Sequence, residues 1–288
     1  MRNSFLRIIM IGLLPLMLLS MSACHKEKIV ATGVPDFYVL PQGNQSYDDS
    51  IVAFHKKYGS YILYKFTDRD FKFDYVRNLN AAATVGNLAY VANTLQFIKT
   101  QYLNFYTESY LHQTLPFKIL LAAAIDTVAA NRPNGPLVRS YSGFYATSSM
   151  LAIGWTDSTL LQLSPSRFKE IRGYMHQAFA QQAALSGALT IPAEFMKYIP
   201  ASYTTIDLDM GINGFTTDIR SVPIIERNVA WDFASFVGQI TSHTKAELDA
   251  TILSPSYDKL GLLNAKYNAV IQYYNQQGTD LQAIGELP

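Results

Sequence analysis

The chain has 288 residues, of which 23 are basic and 22 acidic, so its formal net charge at pH 7 is +1. It has no run of five or more basic residues, and it therefore lacks the electrostatic footprint of a nucleic-acid-binding protein. Because Cys24 is the single cysteine, an internal disulfide bond is excluded, and a folded domain depends on its apolar core.

The first residues, MRNSFLRIIMIGLLPLMLLSMSAC, have the pattern of a secretory signal peptide. Arg2 and Arg7 precede or flank an apolar run from Ile8 to Leu19, which is shorter than the roughly 20 apolar residues of a membrane-spanning helix. Small residues then precede Cys24 and resemble a lipobox. We predict cleavage before Cys24 and lipidation of that residue; an ordinary signal peptide followed by a chance cysteine is the alternative.

The chain is accordingly predicted to consist of a signal peptide (1–23), a tether (24–44) and one domain (45–288). Residues 24–44 carry charge, Gly and Pro without helical or strand periodicity, as a flexible tether does. Without the signal peptide the basic residues fall from 23 to 21 against 22 acidic, a net charge of −1. The remaining length suits one large domain, with two small ones as the alternative.

Strands are predicted mainly in the first half of the domain. The apolar patterns favour a helix near Asp48 that ends at Tyr58, and a strand over YILYKF that DFKFDY continues or pairs with. The later elements are a long helix over Leu79–His112, a buried strand over Phe117–Ala129, a loop over Asn131–Pro136 and a second buried strand over Phe144–Trp155.

Helices dominate the second half. They are predicted over Ser166–Leu185, Pro192–Tyr198, Asn228–Thr241, Lys245–Leu253 and Ser256–Gln276, with an irregular stretch over Thr204–Arg220. Gly187 follows the first of these helices, as is typical of a helix end. Strands early and helices late indicate an α+β fold, with a mixed sheet whose edge is MLAIGW, packed on the Ser166 helix.

Three blocks of the second half carry a resemblance to a known family: YMHQAFAQQAALSG, IPAEFMKYIPASYTTID and NVAWDFASFVGQI. In this order and spacing they resemble the zincin-like substrate import-associated zinc metallohydrolase lipoproteins of Bacteroidetes, which are found beside TonB-dependent nutrient importers. FHKKYGSYILYKF resembles the family's early aromatic passage, so the similarity spans roughly residues 45–245. The resemblance implies a zincin-like metallopeptidase fold.

In that family the helix typically reads HHEFAHxLHQ, and a later block contains EDFA. Two His four residues apart hold zinc from one helix face, and the Glu between them activates water. The alignment places Gln177 and Gln181 at the two His positions, Ala178 at the general base and Trp231 at the later Glu. All four roles are therefore altered in this chain.

The altered residues do not suit zinc catalysis. A neutral Gln is a weak zinc ligand, Ala178 cannot accept a proton, and the indole N–H of Trp231 only donates hydrogen bonds. We therefore expect no catalytic residue and no metal ligand, although the family implies zinc as a cofactor. His176 and Asp232 remain as candidate cleft residues. Gln177 and Gln181 line a former zinc cleft in this interpretation; a solvated face of an amphipathic helix is the alternative.

The resemblance implies an outer-membrane lipoprotein, on the periplasmic or cell-surface face, that is catalytically inactive. It would be tied to the membrane through Cys24 and would bind a peptide, a glycan, or a TonB-dependent importer and its substrate-binding lipoprotein. One alternative is an active hydrolase, a peptidase or another kind, with an atypical site. It would use a metal held by other residues, or carboxylates such as Asp207, Asp209, Asp218, Glu194 and Asp232. Another is a structural subunit of an import complex. The other histidines, His25, His55, His112 and His243, are expected to be surface or hydrogen-bonded residues.

Overall fold

The structure is a computed structural model that describes residues 37–73, 79–130, 132, 134–204 and 210–288. The predicted signal peptide, Cys24 and the tether up to residue 36 lie outside these ranges. The chain divides into two units, Met1–Val39 and Leu40–Pro288, and the helices and strands below belong to the second. No helix among the described residues has the length and apolar character to cross a membrane.

Six strands and eleven α-helices are found in the described part of the chain. The strands are β1 Tyr61–Leu63, β2 Ala81–Val85, β3 Lys118–Val128, β4 Leu137–Arg139, β5 Phe144–Ala146 and β6 Met150–Ile153. The helices are α1 Asp48–Tyr58, α2 Asp68–Lys72, α3 Val91–Gln101, α4 Glu108–Thr114, α5 Pro165–Leu185, α6 Ala193–Met196, α7 Met210–Asn213, α8 Val229–Ser242, α9 Lys245–Ala250, α10 Leu262–Gln276 and α11 Leu281–Gly285. Short 3₁₀ turns lie between them.

The strands form one mixed sheet, as the sequence predicted, and this sheet is built around β3. The first half of β3 pairs in parallel with β1 on one side and with β6 on the other, and Ile119 lies opposite both Ile62 and Leu151. Ile119 and its neighbour Leu120 are fully buried, as expected of a parallel strand covered on both faces. The second half of β3 extends beyond β1 and β6 and pairs antiparallel with β2 and β4.

Helix α5 packs on β5, β6 and α8, and it contributes an apolar stripe to the main core. The stripe consists of Ile171, Met175 and Phe179, which are at most 1% exposed and recur every four residues, as one face of a helix requires. This face was predicted from the sequence. The other side of α5, which carries Gly173 and Gln177, packs against α8.

Two predictions about the early part of the domain are wrong. The first four residues of DFKFDY do not extend the sheet, because Thr67 and Asp70 form a capping box that starts α2, and its last two residues lie outside the described ranges. The stretch 79–112 is not one helix: β2 occupies its start, and the side chain of Asn87 accepts the N–H of Ala89 at 3.0 Å to begin a separate turn. At Ala81–Val85, pairing with β3 outweighs the tendency of these residues to form a helix.

The MLAIGW strand is not the sheet edge. FYATSSMLAIGW folds as a hairpin in which β5 and β6 are antiparallel, and β6 lies between β3 and β5. The turn between the two strands is tied by Thr147, whose Oγ1 accepts the N–H of Met150 at 3.2 Å. The edge next to α5 is therefore β5.

Candidate functional site

The helix α5 begins and ends close to the predicted positions. The Ser164 hydroxyl accepts a backbone N–H of the first turn at 3.3 Å, and Pro165 occupies the first helical position. Gly187, just beyond the helix, has φ +78°, a left-handed conformation that glycine adopts without strain. Because the helix is continuous between these ends, Gln177 and Gln181 lie one turn apart on the same face.

The helix α8 brings Trp231 next to that face. Asn228 caps α8 by accepting the N–H of Trp231 at 2.9 Å, which places the indole in the first turn. Further along, Gln177 lies directly over Gly238, where an added Cβ would meet Gln177 Oε1 at 2.8 Å. The two helices therefore pack closely, with the predicted site residues at their junction.

A cleft of about 500 Å³ opens beside α5. The residues that the alignment assigned to the zinc site, Gln177, Ala178, Gln181 and Trp231, all line it. The other lining residues come from the end of β3, from β4 and β5 with their connection, and from the segment before α8: Thr127–Ala130, Val138–Ser142, Phe144–Ala146, Tyr174, Ser221–Pro223 and Glu226. Positions that are far apart in the sequence thus meet in one cavity.

Trp231 belongs to the buried wall of this cleft, because only 4% of the residue is exposed. Its ring centroid lies 5.6 Å from that of Phe215, and the two rings form a small apolar cluster with Ile219. Tyr203 and Val222 pack against the same cluster. Trp231 therefore holds the segment that precedes α8 against the cleft.

Comparison with a solved structure supports the fold described above. No family model matches the sequence, and no curated protein shows significant similarity to it. A solved structure from Bacteroides caccae, described as a "putative zinc-binding metallo-peptidase", matches 85% of this chain and 92% of its own, with a TM-score of 0.50 and 14% sequence identity. The chain has a metallopeptidase-like fold. At this identity the likeness concerns the fold alone.

The residues that line the cleft do not fit a catalytic zinc ion, although the fold suggests one. Such a site has three protein ligands drawn from His, Cys and carboxylate side chains. Within the described residues no group of three or more His, Cys, Asp or Glu side chains is placed to hold a metal. Glu226 is the one carboxylate among the residues that line the cleft, and the α5 positions offer two neutral amides.

The prediction that His176 belongs to the cleft is wrong. One residue step turns an α-helix by about 100°, so the side chain next to Gln177 enters the core and is fully buried. Its Nε2 lies 2.8 Å from the carbonyl oxygen of Gln101 and therefore donates, while Nδ1 accepts the hydroxyl of Tyr106 at 2.7 Å. Burial is the main cause that lowers the pKa of His176 to about 3.

Asp232 is likewise not a cleft residue. It follows Trp231 by one position, and its carboxylate is completely buried. Oδ2 accepts the Lys266 ammonium at 2.7 Å and the Tyr203 hydroxyl at 2.8 Å. Lys266 Nζ also donates to the carbonyl oxygen of Gly214 at 3.0 Å. This ion pair joins α8, α10 and the segment between α6 and α8 in the interior.

The Lys266 ammonium is surrounded by aromatic rings. It lies 5.3 Å from the ring centroid of Phe195, 5.2 Å from that of Phe215 and 5.7 Å from that of Phe236. Burial lowers the pKa of Lys266, whereas the Asp232 carboxylate opposes this change. The arrangement is that of a structural cross-link.

The other carboxylates named from the sequence do not converge on the cleft. Glu194 forms an ion pair with Lys197 at 2.7 Å, and Asp218 binds Arg220 and caps a 3₁₀ turn. Neither residue lines the cleft. Asp207 and Asp209 lie outside the described residues.

The described histidines outside α5 have local partners. His55 stacks on Tyr61 with ring centroids 3.9 Å apart, and His112 lies 3.6 Å from Glu108. Nδ1 of His243 is 3.1 Å from the carbonyl oxygen of Gln239. His25 lies outside the described residues.

The tyrosines and the second wall of the cleft were not predicted from the sequence. Tyr174 lies three residues before Gln177, and this helical spacing could have predicted its place on the same face. Tyr141 precedes β5 and Tyr145 lies in it. To predict their place in the cleft, the hairpin turn at Thr147 would have had to be recognised. No local pattern indicated that the stretch 221–226 forms the opposite wall.

Proposed function

We propose that this chain is an outer-membrane lipoprotein that binds a ligand in the α5 cleft without cleaving it, beside a TonB-dependent nutrient importer. One observation carries the proposal. Gln177, Gln181 and Trp231, which the alignment assigns to the zinc ligands, meet in one cleft of a metallopeptidase-like fold. A neutral Gln is a weak zinc ligand in comparison with an imidazole, and the indole N–H of Trp231 cannot bind the metal.

The chemistry of the cleft supports binding over hydrolysis. Metal-assisted hydrolysis needs a polarising ion and a group that takes a proton from water, and the side chain of Ala178 has no such group. The amides of Gln177 and Gln181 each donate two hydrogens and accept through one oxygen, so they suit a polar ligand. A cleft of about 500 Å³ is large enough for part of a peptide or glycan.

The cellular role rests on the N-terminal sequence and on the resemblance. A lipid on Cys24 would hold the protein at the outer membrane, on its periplasmic or cell-surface face. There the cleft would receive a peptide or a glycan, or would contact the importer or its substrate-binding lipoprotein. Substrate that is captured at the membrane would be available to the importer at a high local concentration.

Catalytic inactivity is tested with the purified full-length chain in detergent. The chain is incubated with ZnCl₂, freed of unbound metal and analysed by mass spectrometry for zinc, and a peptide library is searched for cleavage products. A zinc metallopeptidase with an intact HExxH motif is the positive control. We expect far less than one zinc per chain and no cleavage above a mock preparation. One tightly bound zinc together with chelator-sensitive cleavage would overturn the proposal.

The membrane location is tested in cells that incorporate labelled palmitate. The wild-type chain should take up label and fractionate with the outer membrane, whereas Cys24→Ala should do neither. Affinity purification of the wild-type chain then asks whether an importer is recovered with it. Label on the Cys24→Ala chain, or a wild-type chain free of label, would contradict the lipoprotein part of the proposal.

A further inference from the structure

A second cavity adjoins the cleft along α5. It has a volume of about 440 Å³ and shares Tyr174 and Gln177 with the cleft. Its remaining lining residues come from the start of α5, the end of α8 and the start of α9, and they include Ser166, Lys169, Glu170, Gly173, Gly238 and Glu247. We call the cleft and this second cavity together the α5 groove.

The groove follows α5 for most of its length. Ser166 lines one end and Gln181 the other, and 15 helical steps at about 1.5 Å correspond to roughly 22 Å. A single small molecule cannot contact both ends over this distance. The shape therefore suits a linear polymer that lies along the helix.

The charged side chains in the groove interact with other groups, and this includes Glu226 of the cleft. In the cleft, Arg139 binds Asp126 at 2.8 Å. In the second cavity, Lys169 lies 3.5 Å from Glu247, and Glu170 accepts hydrogen bonds from Arg167 at 2.6 Å and from Tyr174 at 3.1 Å. Most of the other polar lining groups are hydroxyls and amides, which favour an uncharged polar ligand.

Tyr141 provides an aromatic surface at the cleft and is 66% exposed. The guanidinium carbon of Arg167 lies 3.9 Å from its ring centroid, and its hydroxyl donates to Glu170 at 3.1 Å. The ring is thus supported on one side and oriented by its hydroxyl before any ligand arrives. Such a ring can stack on the apolar face of a sugar.

A peptide that adds a strand to the sheet is less suitable. Strand addition depends on a row of main-chain groups at a sheet edge. The edge strand β5 has three residues, and the N–H of Phe144 is already donated to the hydroxyl of Ser142 at 3.2 Å. Short edge strands of this kind resist pairing with another chain. Recognition in the groove therefore relies on side chains.

We infer that the α5 groove binds a linear, uncharged glycan, with its sugars stacked on Tyr141 and hydrogen-bonded by Gln177 and Gln181. This inference rests on the proposed function and names the class of ligand. The hydroxyl groups of a glycan match the neutral polar lining, and a linear glycan is long enough to occupy both cavities. Tyr174 and Gln177 lie at the junction, where the polymer would pass from one cavity to the other.

The inference is tested by calorimetric titration of the purified full-length chain in detergent. The probes are linear neutral gluco-, manno-, xylo- and galacto-oligosaccharides from the disaccharide to the hexasaccharide, together with a library of uncharged hexapeptides. We expect one sugar series to bind, with affinity that rises with length. Tyr141→Ala should weaken binding about tenfold, and Tyr141→Phe, which keeps the ring, should weaken it less. Gln177→Ala should also weaken binding, whereas Gln272→Ala on the exposed side of α10 serves as the control.

Three results would overturn the inference: no sugar series binds, affinity is independent of length, or the peptides bind in place of the sugars. None of these results bears on the zinc and cleavage assays, so the proposed function can survive the loss of this inference. Conversely, a chain that holds zinc and cuts peptides refutes the proposed function, whatever the titrations show.

Discussion

Gly173 of α5 and Gly238 of α8 face each other where the two helices cross. A Cβ on Gly173 would lie 2.7 Å from the carbonyl oxygen of Gly238, and a Cβ on Gly238 would lie 3.3 Å from the carbonyl oxygen of Gly173. The two backbones therefore touch, which side chains at these positions would prevent. This close crossing brings Trp231 to the cleft that Gln177 and Gln181 line.

Gly173→Ala should destabilise the protein. The new methyl group would also meet Ser242 Cβ at 2.6 Å, so the helices would have to move apart. Because the methyl group meets backbone as well as side-chain atoms, we expect an overpacking cost at the upper end of the usual range, about 2 to 3 kcal/mol; subtracting a gain of roughly 1 kcal/mol in helix propensity leaves a net loss of about 1 to 2 kcal/mol. Urea denaturation followed by circular dichroism measures the free energy of unfolding. Gln272→Ala on α10 is the matched control, and equal stability of the two variants would contradict a tight crossing.

The sequence predicted the elements whose pattern is local. The fully buried first half of β3 and the apolar stripe of α5 follow from residue type and spacing, and both were predicted. The alignment also anticipated that Gln177 and Trp231 would share one cavity. Spacing along α5 gives the face on which Gln177 lies, whereas the partner on α8 came from the resemblance alone.

The wrong predictions concern residues whose environment depends on tertiary packing. His176 and Asp232 each lie one position from a cleft residue, and that single helical step separates the cleft from the core. Nothing in the sequence shows that Lys266, 34 positions after Asp232, is its buried partner. The ordering of β5 and β6 also depends on long-range pairing with β3, which local propensity does not encode.

The stability of the protein should fall in mild acid because of His176. Its pKa is lowered from 6.5 in the unfolded chain to about 3 in the folded chain, so the unfolded chain binds the proton more tightly between these values. The stabilisation by the neutral ring is fully present above pH 6.5 and is lost as the pH falls toward 3. We expect this residue to contribute a loss of about 2 kcal/mol between pH 7 and pH 5.

The measurement is urea denaturation at several pH values for the wild type and for His176→Gln. The variant should be less stable at pH 7, because it loses hydrogen bonds to Tyr106 and Gln101, but its stability should depend less on pH. Gln272→Ala, on the exposed side of α10, changes no titratable group and is the control, which should keep the wild-type pH dependence. Parallel curves for the wild type and His176→Gln would refute the assignment.

The ion pair of Asp232 and Lys266 should show strong coupling. Lys266→Met leaves a buried carboxylate without its cation, and loss of one partner from a buried pair costs about 3 to 5 kcal/mol. The double variant Asp232→Leu, Lys266→Met removes both charges and should cost less than Lys266→Met alone. Thermal and urea unfolding of the single and double variants give the coupling energy. Additive losses would show that the two groups do not act as a pair.

Introducing imidazole at two positions should create a metal site in the cleft. Gln177 and Gln181 are one turn apart on the face of α5 that lines the cavity, so Gln177→His, Gln181→His places two imidazoles on the same side of the helix. Any exposed helix offers such a pair, and Gln272→His, Gln276→His on α10 measures that general affinity. Adding Trp231→Glu to the α5 pair should tighten zinc binding at least tenfold over the pair alone, because the carboxylate enters the same cleft.

Competition with a zinc-sensitive dye gives the dissociation constant for each of these variants. The matched triple variant carries Trp231→Gln, which removes the indole from the Phe215 cluster to the same extent but supplies no carboxylate. If the Glu and Gln triple variants bind zinc equally well, position 231 does not correspond to a third ligand, and the alignment that underlies the proposed function fails. A selective gain with Glu shows that the geometry for holding zinc is retained in this fold and that the present side chains, not the backbone, withhold the metal.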